Sequence, residues 1–185
     1  QPNSFRTGAS TISCFQTAQQ TKSETMNKTH IYHFSDPVEK VAAIMANTEF
    51  HLDMDRTRDD IAGTEMLPTK QTGDIAEFTM LTKEYKRSIT GINRSSHTQG
   101  RTDFRWNGAT NVLDWNYISG EEPKRIKVCG QYRVENEGSG CRLVHDYTIE
   151  IKIPLVGGKV SKVVEKEFKK SFVTFERLVR EYLAR

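Results

Sequence analysis

No stretch of this sequence approaches the roughly 20 consecutive apolar residues that a membrane-spanning helix requires, and the mean hydropathy is −0.64. Cysteine is scarce. Cys14, Cys129 and Cys141 are the only three, and no two have the spacing of a zinc site or a redox pair. An odd count without a disulfide framework points to a reducing compartment, so the expected location is cytoplasmic. Cys129 and Cys141 fall on consecutive expected strands, where a bridge is geometrically conceivable. Nucleophile elbow, phosphate-binding glycine loop and metal-ligand trio are all missing, so no cofactor and no metal are expected. Zinc-finger spacing, an aromatic ribonucleoprotein signature and a basic zipper are missing too, which argues against nucleic acid as a partner. There is no internal repeat and no sign of a second folded domain.

Charge is modest, +3 in total, and unevenly placed. From Val156 to Arg185 there are eight Lys/Arg and four Asp/Glu, so this segment carries +4 and the remainder sums to −1. A basic helix face of this kind suits transient contact with an anionic membrane surface, but Glu alternating with Lys along it is the ordinary pattern of a solvated face. Residues 1–25 are about half Ser, Thr and Gln and have no acidic residue before Glu24. Such a composition cannot bury enough surface to order itself, so 1–25 reads as a disordered leader or extension, and 26–185 as one domain with a core of its own.

The last third carries the clearest pattern. Along Arg142–Ile153, Leu143, His145, Tyr147, Ile149, Ile151 and Ile153 alternate with Arg142, Val144, Asp146, Thr148, Glu150 and Lys152, the mark of a half-buried strand. Pro154 ends the ladder and Gly157-Gly158 permit a sharp turn. One long amphipathic helix follows. At about 100° per residue, Val156, Val160, Val164, Phe168, Phe172, Phe175, Leu178, Val179, Tyr182 and Leu183 share a face. Glu167 and Ser171 fall in or beside that stripe.

Upstream, Lys28–Phe34 reads as a strand. Ser35-Asp36-Pro37-Val38-Glu39 opens a helix, with a capping residue and Pro in its first turn, and a second short helix covers Thr48–Met54. Strands are then expected over 58–66, 74–81, 83–93, 100–106, 111–119 and 125–135, with turns at 68–73, 120–123 and 137–140. The class is α+β: a curved antiparallel sheet of about six to seven strands wrapped around a long C-terminal helix, with two short helices after the first strand.

Three segments carry a family resemblance: Phe34-Ser35-Asp36-Pro37-Val38-Glu39-Lys40-Val41, the hairpin from Tyr132-Arg133-Val134-Glu135 to Gly140-Cys141-Arg142-Leu143, and Ile153-Pro154-Leu155-Val156-Gly157-Gly158. With these the chain resembles the START-like, polyketide cyclase and dehydrase superfamily, and within it a bacterial branch to which no activity is attached. The resemblance implies the helix-grip fold of the major birch pollen allergen. Members elsewhere bind lipids, sterols, hormones or polyketides, and a minority catalyse cyclisation or hydration.

Alternation within the strands nominates the lining of an internal hollow. Phe78 and Met80 share a face, as do Phe104 and Trp106; Trp115 and Tyr117; Ile126, Val128 and Tyr132; and His145 and Tyr147. Opposite them the helix offers Phe168, Ser171, Phe172 and Phe175. These residues are the expected contacts of a small hydrophobic, lipid-like ligand. An alternative is a cyclase or hydratase using His145 with Tyr147 or Glu167 to polarise a carbonyl or move a proton. His30 and His33 point to opposite strand faces and cannot share a metal. The acidic run His51-Leu52-Asp53-Met54-Asp55 with Asp59-Asp60 lacks the glycine and terminal glutamate of a calcium loop and reads as a solvated helix end. Nothing in the sequence sets the oligomeric state.

Overall fold

The computed structural model describes residues 24–88, 91–152 and 157–185. The expectations for residues 1–23 (Cys14 among them) and for 153–156 lie outside the described residues. In chain order the elements are β1 (Glu24–Phe34), α1 (Val38–Ala46), α2 (Thr48–Arg56), β2 (Ile61–Met66), β3 (Lys70–Thr72), β4 (Ile75–Ser88), β5 (Gly91–Asn107), β6 (Val112–Ile118), β7 (Ile126–Glu137), β8 (Gly140–Ile151) and α3 (Gly157–Leu183). This is the expected α+β order: a strand, two short helices, an antiparallel run and a long terminal helix.

All pairings are antiparallel and the sheet runs β1-β8-β7-β6-β5-β4-β2, with β3 also paired to β4. First and last strands are therefore neighbours, and α3 leaves β8 to cross the inner face beside β1. Two expectations change. Among the described residues the sheet has eight strands, because β3 forms within 68–73, a segment whose Pro, Lys and Gly read as a turn. The expected strand over 83–93 does not exist as a unit. Lys83–Ser88 continues β4, and Gly91–Asn93 begins β5, so the two form one long hairpin in place of three short strands. Polar residues at 83–87 had hidden that continuity.

Period-two burial explains the assembly. On β8, Leu143, His145, Tyr147, Ile149 and Ile151 are all buried, while Asp146 and Thr148 bond along the outer face to Thr29 and Asn27. The helices close one end of the core: Val41, Met45 and Phe50 of α1 and α2 are completely buried and join Phe175, Leu178 and Val179 of α3 in one cluster. The α1 cap falls on Pro37, without a side-chain bond, so neither Ser35 nor Asp36 supplies the expected cap. Asn47 caps α2 by accepting from the Glu49 N–H at 3.0 Å. Cys129 and Cys141 are both free, and the bridge between them is excluded by register: their strand partners are Thr148 and Asn136, so the two lie far apart along β7 and β8.

Two glycines are required by close approach. A Cβ on Gly130 would lie 2.8 Å from the Trp115 ring and 2.5 Å from the Asp146 carbonyl oxygen. Trp115, its register partner, thus lies flat over bare backbone. A Cβ on Gly100 would come within 3.1 Å of the Tyr117 ring and 3.2 Å of the Glu84 carboxyl carbon.

Candidate functional site

Register places the interior rings. Tyr132 on β7 pairs with His145 on β8, which pairs with His30 on β1, and α3 supplies Phe168, Phe172 and Phe175 from above. The Tyr132 ring is stacked on both sides, 4.0 Å from His145 and 5.2 Å from Phe175 between centroids. Tyr147 stacks on Phe168 at 4.9 Å, Trp115 lies 5.7 Å from His145, and His30 stacks on Phe172 at 4.3 Å. Offset and edge-on ring pairs of this kind each add about 0.5–1.5 kcal/mol beyond burial.

Some polar atoms inside this apolar assembly have no partner among the described residues: the Tyr32 hydroxyl, the Trp115 indole N–H and both ring nitrogens of His145, all fully buried. Burial, with His30 adding to it and Asp146 opposing, holds the His145 imidazole neutral, its pKa pushed down to about 3. Burial likewise raises the Tyr32 and Tyr132 phenols well above their ordinary range. An unpartnered buried polar group costs about 1–3 kcal/mol. Tyr32→Phe, which deletes one such group and leaves the ring, is therefore expected to raise stability by about 1 kcal/mol, measured as a higher denaturant midpoint at unchanged slope. A loss of stability would mean that the hydroxyl is satisfied.

A second cluster occupies the end of the inner face beneath α2, and it corrects the reading of the acidic run as solvated. His51 is buried, donates from Nε2 to the Met45 carbonyl at 2.9 Å, and packs 4.6 Å from Phe104. Since a carbonyl only accepts, His51 Nε2 carries the proton. Its pKa is lowered to about 4 by burial, with the Met45 contact opposing. Asp55, Asp60 and Glu84 are buried as well. Arg58 reaches all three, at 3.2, 3.1 and 3.4 Å. Thr82 donates to Asp55 at 2.7 Å, and Tyr117 to Glu84 at 2.7 Å. Burial raises the Glu84 pKa, against the opposing pull of Arg58 and the Tyr117 hydroxyl. Asp53 alone behaves as a helix-end acid, bonded to Arg56 and to the Tyr182 hydroxyl.

The nominated residues therefore divide. Trp115, Tyr132, His145, Tyr147, Phe168, Phe172 and Phe175 meet at one centre. Phe78 and Phe104 stack on each other at 4.9 Å beside His51, Met80 and Trp106 are buried in the shared core, and Tyr117 belongs to the Glu84 cluster. The Ser171 hydroxyl bonds its own helix, to the Phe168 carbonyl at 2.7 Å. The Glu167 side chain lies outside the described residues. Tyr32 and Glu84 were missed. Tyr32 enters the sequence reading only as a residue of the expected Lys28–Phe34 strand. Glu84 continues the Phe78-Met80-Thr82 alternation and was lost when the strand was ended at Leu81.

Elsewhere, the basic face of α3 is laced by i,i+4 pairs, Lys169 with Glu165, Arg177 with Glu181 and Arg180 with Glu176. Among the described residues two open hollows measure about 500 and 270 Å³. The larger is lined by Asn27, Lys28, Thr29, Cys129, Gly130, Gln131, Asp146, Tyr147 and Thr148, a mixed polar and apolar set. No described helix is long and apolar enough to cross a membrane, and no described group of His, Cys, Asp and Glu is placed to hold a metal.

Residues 29–183 match the family model described as "Protein of unknown function (DUF2505)". The chain belongs to the DUF2505 family. The solved structures that this chain resembles show that it has the START-like, helix-grip fold. Norcoclaurine synthase from Thalictrum flavum superposes with a TM-score of 0.62 at 9% identity, over 98% of this chain and all (100%) of that one. The Zhui aromatase/cyclase from Streptomyces sp. R1128 gives 0.61 at 9%, covering 88% and 95%. A START superfamily protein from Mycobacterium smegmatis gives 0.53 at 17%, covering 85% and 97%. At such identities the likeness is one of fold. No curated protein matches the sequence.

Proposed function

We propose that the protein binds and carries a small hydrophobic, lipid-like molecule between the sheet and α3. The observation that carries this reading is the convergence of rings from β6, β7, β8 and α3 on His145, with His30 of β1 stacked on Phe172, in an interior where polar atoms of Tyr32, Trp115 and His145 have no partner among the described residues. Ligand sites are mostly apolar with a few polar groups that fix orientation. Trp115, Tyr132, His145, Tyr147, Phe168, Phe172 and Phe175 form the proposed contact set, with Phe78, Met80, Phe104, Trp106 and Tyr117 as the farther wall.

The test is native mass spectrometry of freshly purified protein, followed by organic extraction. A stoichiometric apolar species is the expected result. Saturation trials in which no apolar compound binds, or a protein that returns only its apo mass after them, would sink the carrier reading. The alternative, a cyclase or hydratase, draws on the 5.1 Å approach of the His145 and Tyr147 rings and on the enzymes among the structural neighbours. It takes second place because His145 has no hydrogen-bond partner among the described residues to set its tautomer, and an imidazole with so low a pKa is a weak base.

A further inference from the structure

We infer that the interior site is built for an uncharged polar group offering both a hydrogen-bond donor and an acceptor, an alcohol or an undissociated acid on an apolar body, and that it discriminates against the same body bearing a carboxylate. The inference rests on the ligand-binding reading and adds to it the chemistry of the ligand's polar end.

Four buried polar atoms here have no partner among the described residues. Trp115 Nε1 can only donate. A neutral imidazole has one N–H and one bare nitrogen, so His145 supplies one donor and one obligate acceptor. The Tyr32 hydroxyl does either. A ligand that only accepts leaves the bare His145 nitrogen dependent on Tyr32 alone, and a ligand that only donates leaves Trp115 unmet. A hydroxyl or an undissociated carboxyl group meets both needs.

An anion would also need a cation, and the described cations beside the site are engaged elsewhere. The Lys28 amine on β1 is half exposed and lies 3.7 Å from Glu165. Arg133 on β7 pairs with Asp146 and Glu135 on the outer face. Arg180 on α3 pairs with Glu176, donates to the His33 carbonyl and lies over the Phe34 ring. The other described titratable groups around His145 are His30 and Tyr32 on β1, Tyr132 on β7, Tyr147 and Asp146 on β8, and Glu165 and Glu176 on α3. His30 is itself biased toward neutrality by burial, against Glu176. A carboxylate would therefore be desolvated among neutral rings, which is strongly disfavoured.

The experiment measures calorimetric affinities at pH 6 and pH 8 for two matched pairs, decan-1-ol with decanoic acid and 2-naphthol with 2-naphthoic acid. At least one alcohol is expected to bind about tenfold or more tightly than its carboxylate at pH 8, and the acid's affinity is expected to fall about tenfold per pH unit as it ionises. His145→Phe is expected to weaken alcohol binding about tenfold and erase the preference. Tyr32→Phe, which deletes one hydroxyl, is the second variant should His145→Phe not fold. Carboxylates that bind as tightly as their alcohols at pH 8, or alcohol affinities unmoved in both variants, overturn this inference and leave the carrier reading standing. Failure of both bodies to bind in any form overturns the two together.

Discussion

Between pH 7 and pH 4.5 the ligand-free protein is expected to lose on the order of 5 kcal/mol of folding stability, a large share of the 5–15 kcal/mol typical of a domain. The cause is two buried imidazoles. His145 and His51 are 2% and 6% exposed, and their pKa values are lowered from 6.5 to about 3 and about 4. In the folded chain both stay neutral below pH 6.5, while in the unfolded chain both take up a proton there. The unfolded state then binds more protons, so stability rises with pH across this window. It is fully present above pH 6.5 and is lost as pH falls toward the folded-state values. Each histidine contributes roughly half of the loss at pH 4.5. Denaturant midpoints recorded at intervals from pH 7 to 4.5 provide the measurement, with His145→Phe expected to remove about half of the slope. A midpoint that is flat from pH 6.5 to 4.5 would mean that these rings protonate in place, and the neutral interior argued above would have to be abandoned.

That interior was partly legible in the sequence. Alternation along β8 put His145 and Tyr147 on the buried face because one face of that strand is wholly apolar apart from them. The heptad-like stripe of α3 put Phe168, Phe172 and Phe175 opposite for the same reason. Pairing was not legible: that Tyr132 lies against His145, or that Trp115 lies over Gly130, follows from register, which is set by the whole sheet. The Glu84 cluster was hidden for a different reason. Hydropathy scores Asp55, Asp60 and Glu84 as surface, and only the convergence of α2, the loop after it and the extended β4 on Arg58 makes burial tolerable. A polar residue continuing an inward alternation, as Glu84 does after Thr82, was the one available signal. The two long strands of the β4–β5 hairpin broke the expectation of short strands for the same reason: their distal halves are polar.

Arg58→Met is expected to destabilise the protein by about 2–4 kcal/mol, the lower part of the range for breaking a buried ion pair because the Arg58 side chain is itself 40% exposed. The unfolding temperature should fall by roughly 10 °C. The loss comes from what the arginine leaves behind. Asp55 retains Thr82 and Glu84 retains Tyr117, but hydroxyl donors do not neutralise charge, and the carboxylates remain buried beside one another. Glu84 distinguishes this account from simple loss of packing. Its pKa already lies above the ordinary carboxylate value through burial, and removing Arg58 takes away the main opposing pull. A carboxyl group whose folded pKa exceeds its unfolded one binds more protons when folded, so its contribution worsens as pH rises through that interval and eases as pH falls. The deficit of Arg58→Met relative to the parent should thus shrink on moving from pH 8 toward pH 5, although both proteins lose stability there through the histidines. Adding Glu84→Gln to Arg58→Met should recover about 1–2 kcal/mol by removing the unpaired buried charge. A deficit that is independent of pH and unrelieved by Glu84→Gln would show that Arg58 serves through the packing of its aliphatic stem, and that these carboxylates keep enough water to bear their own charge.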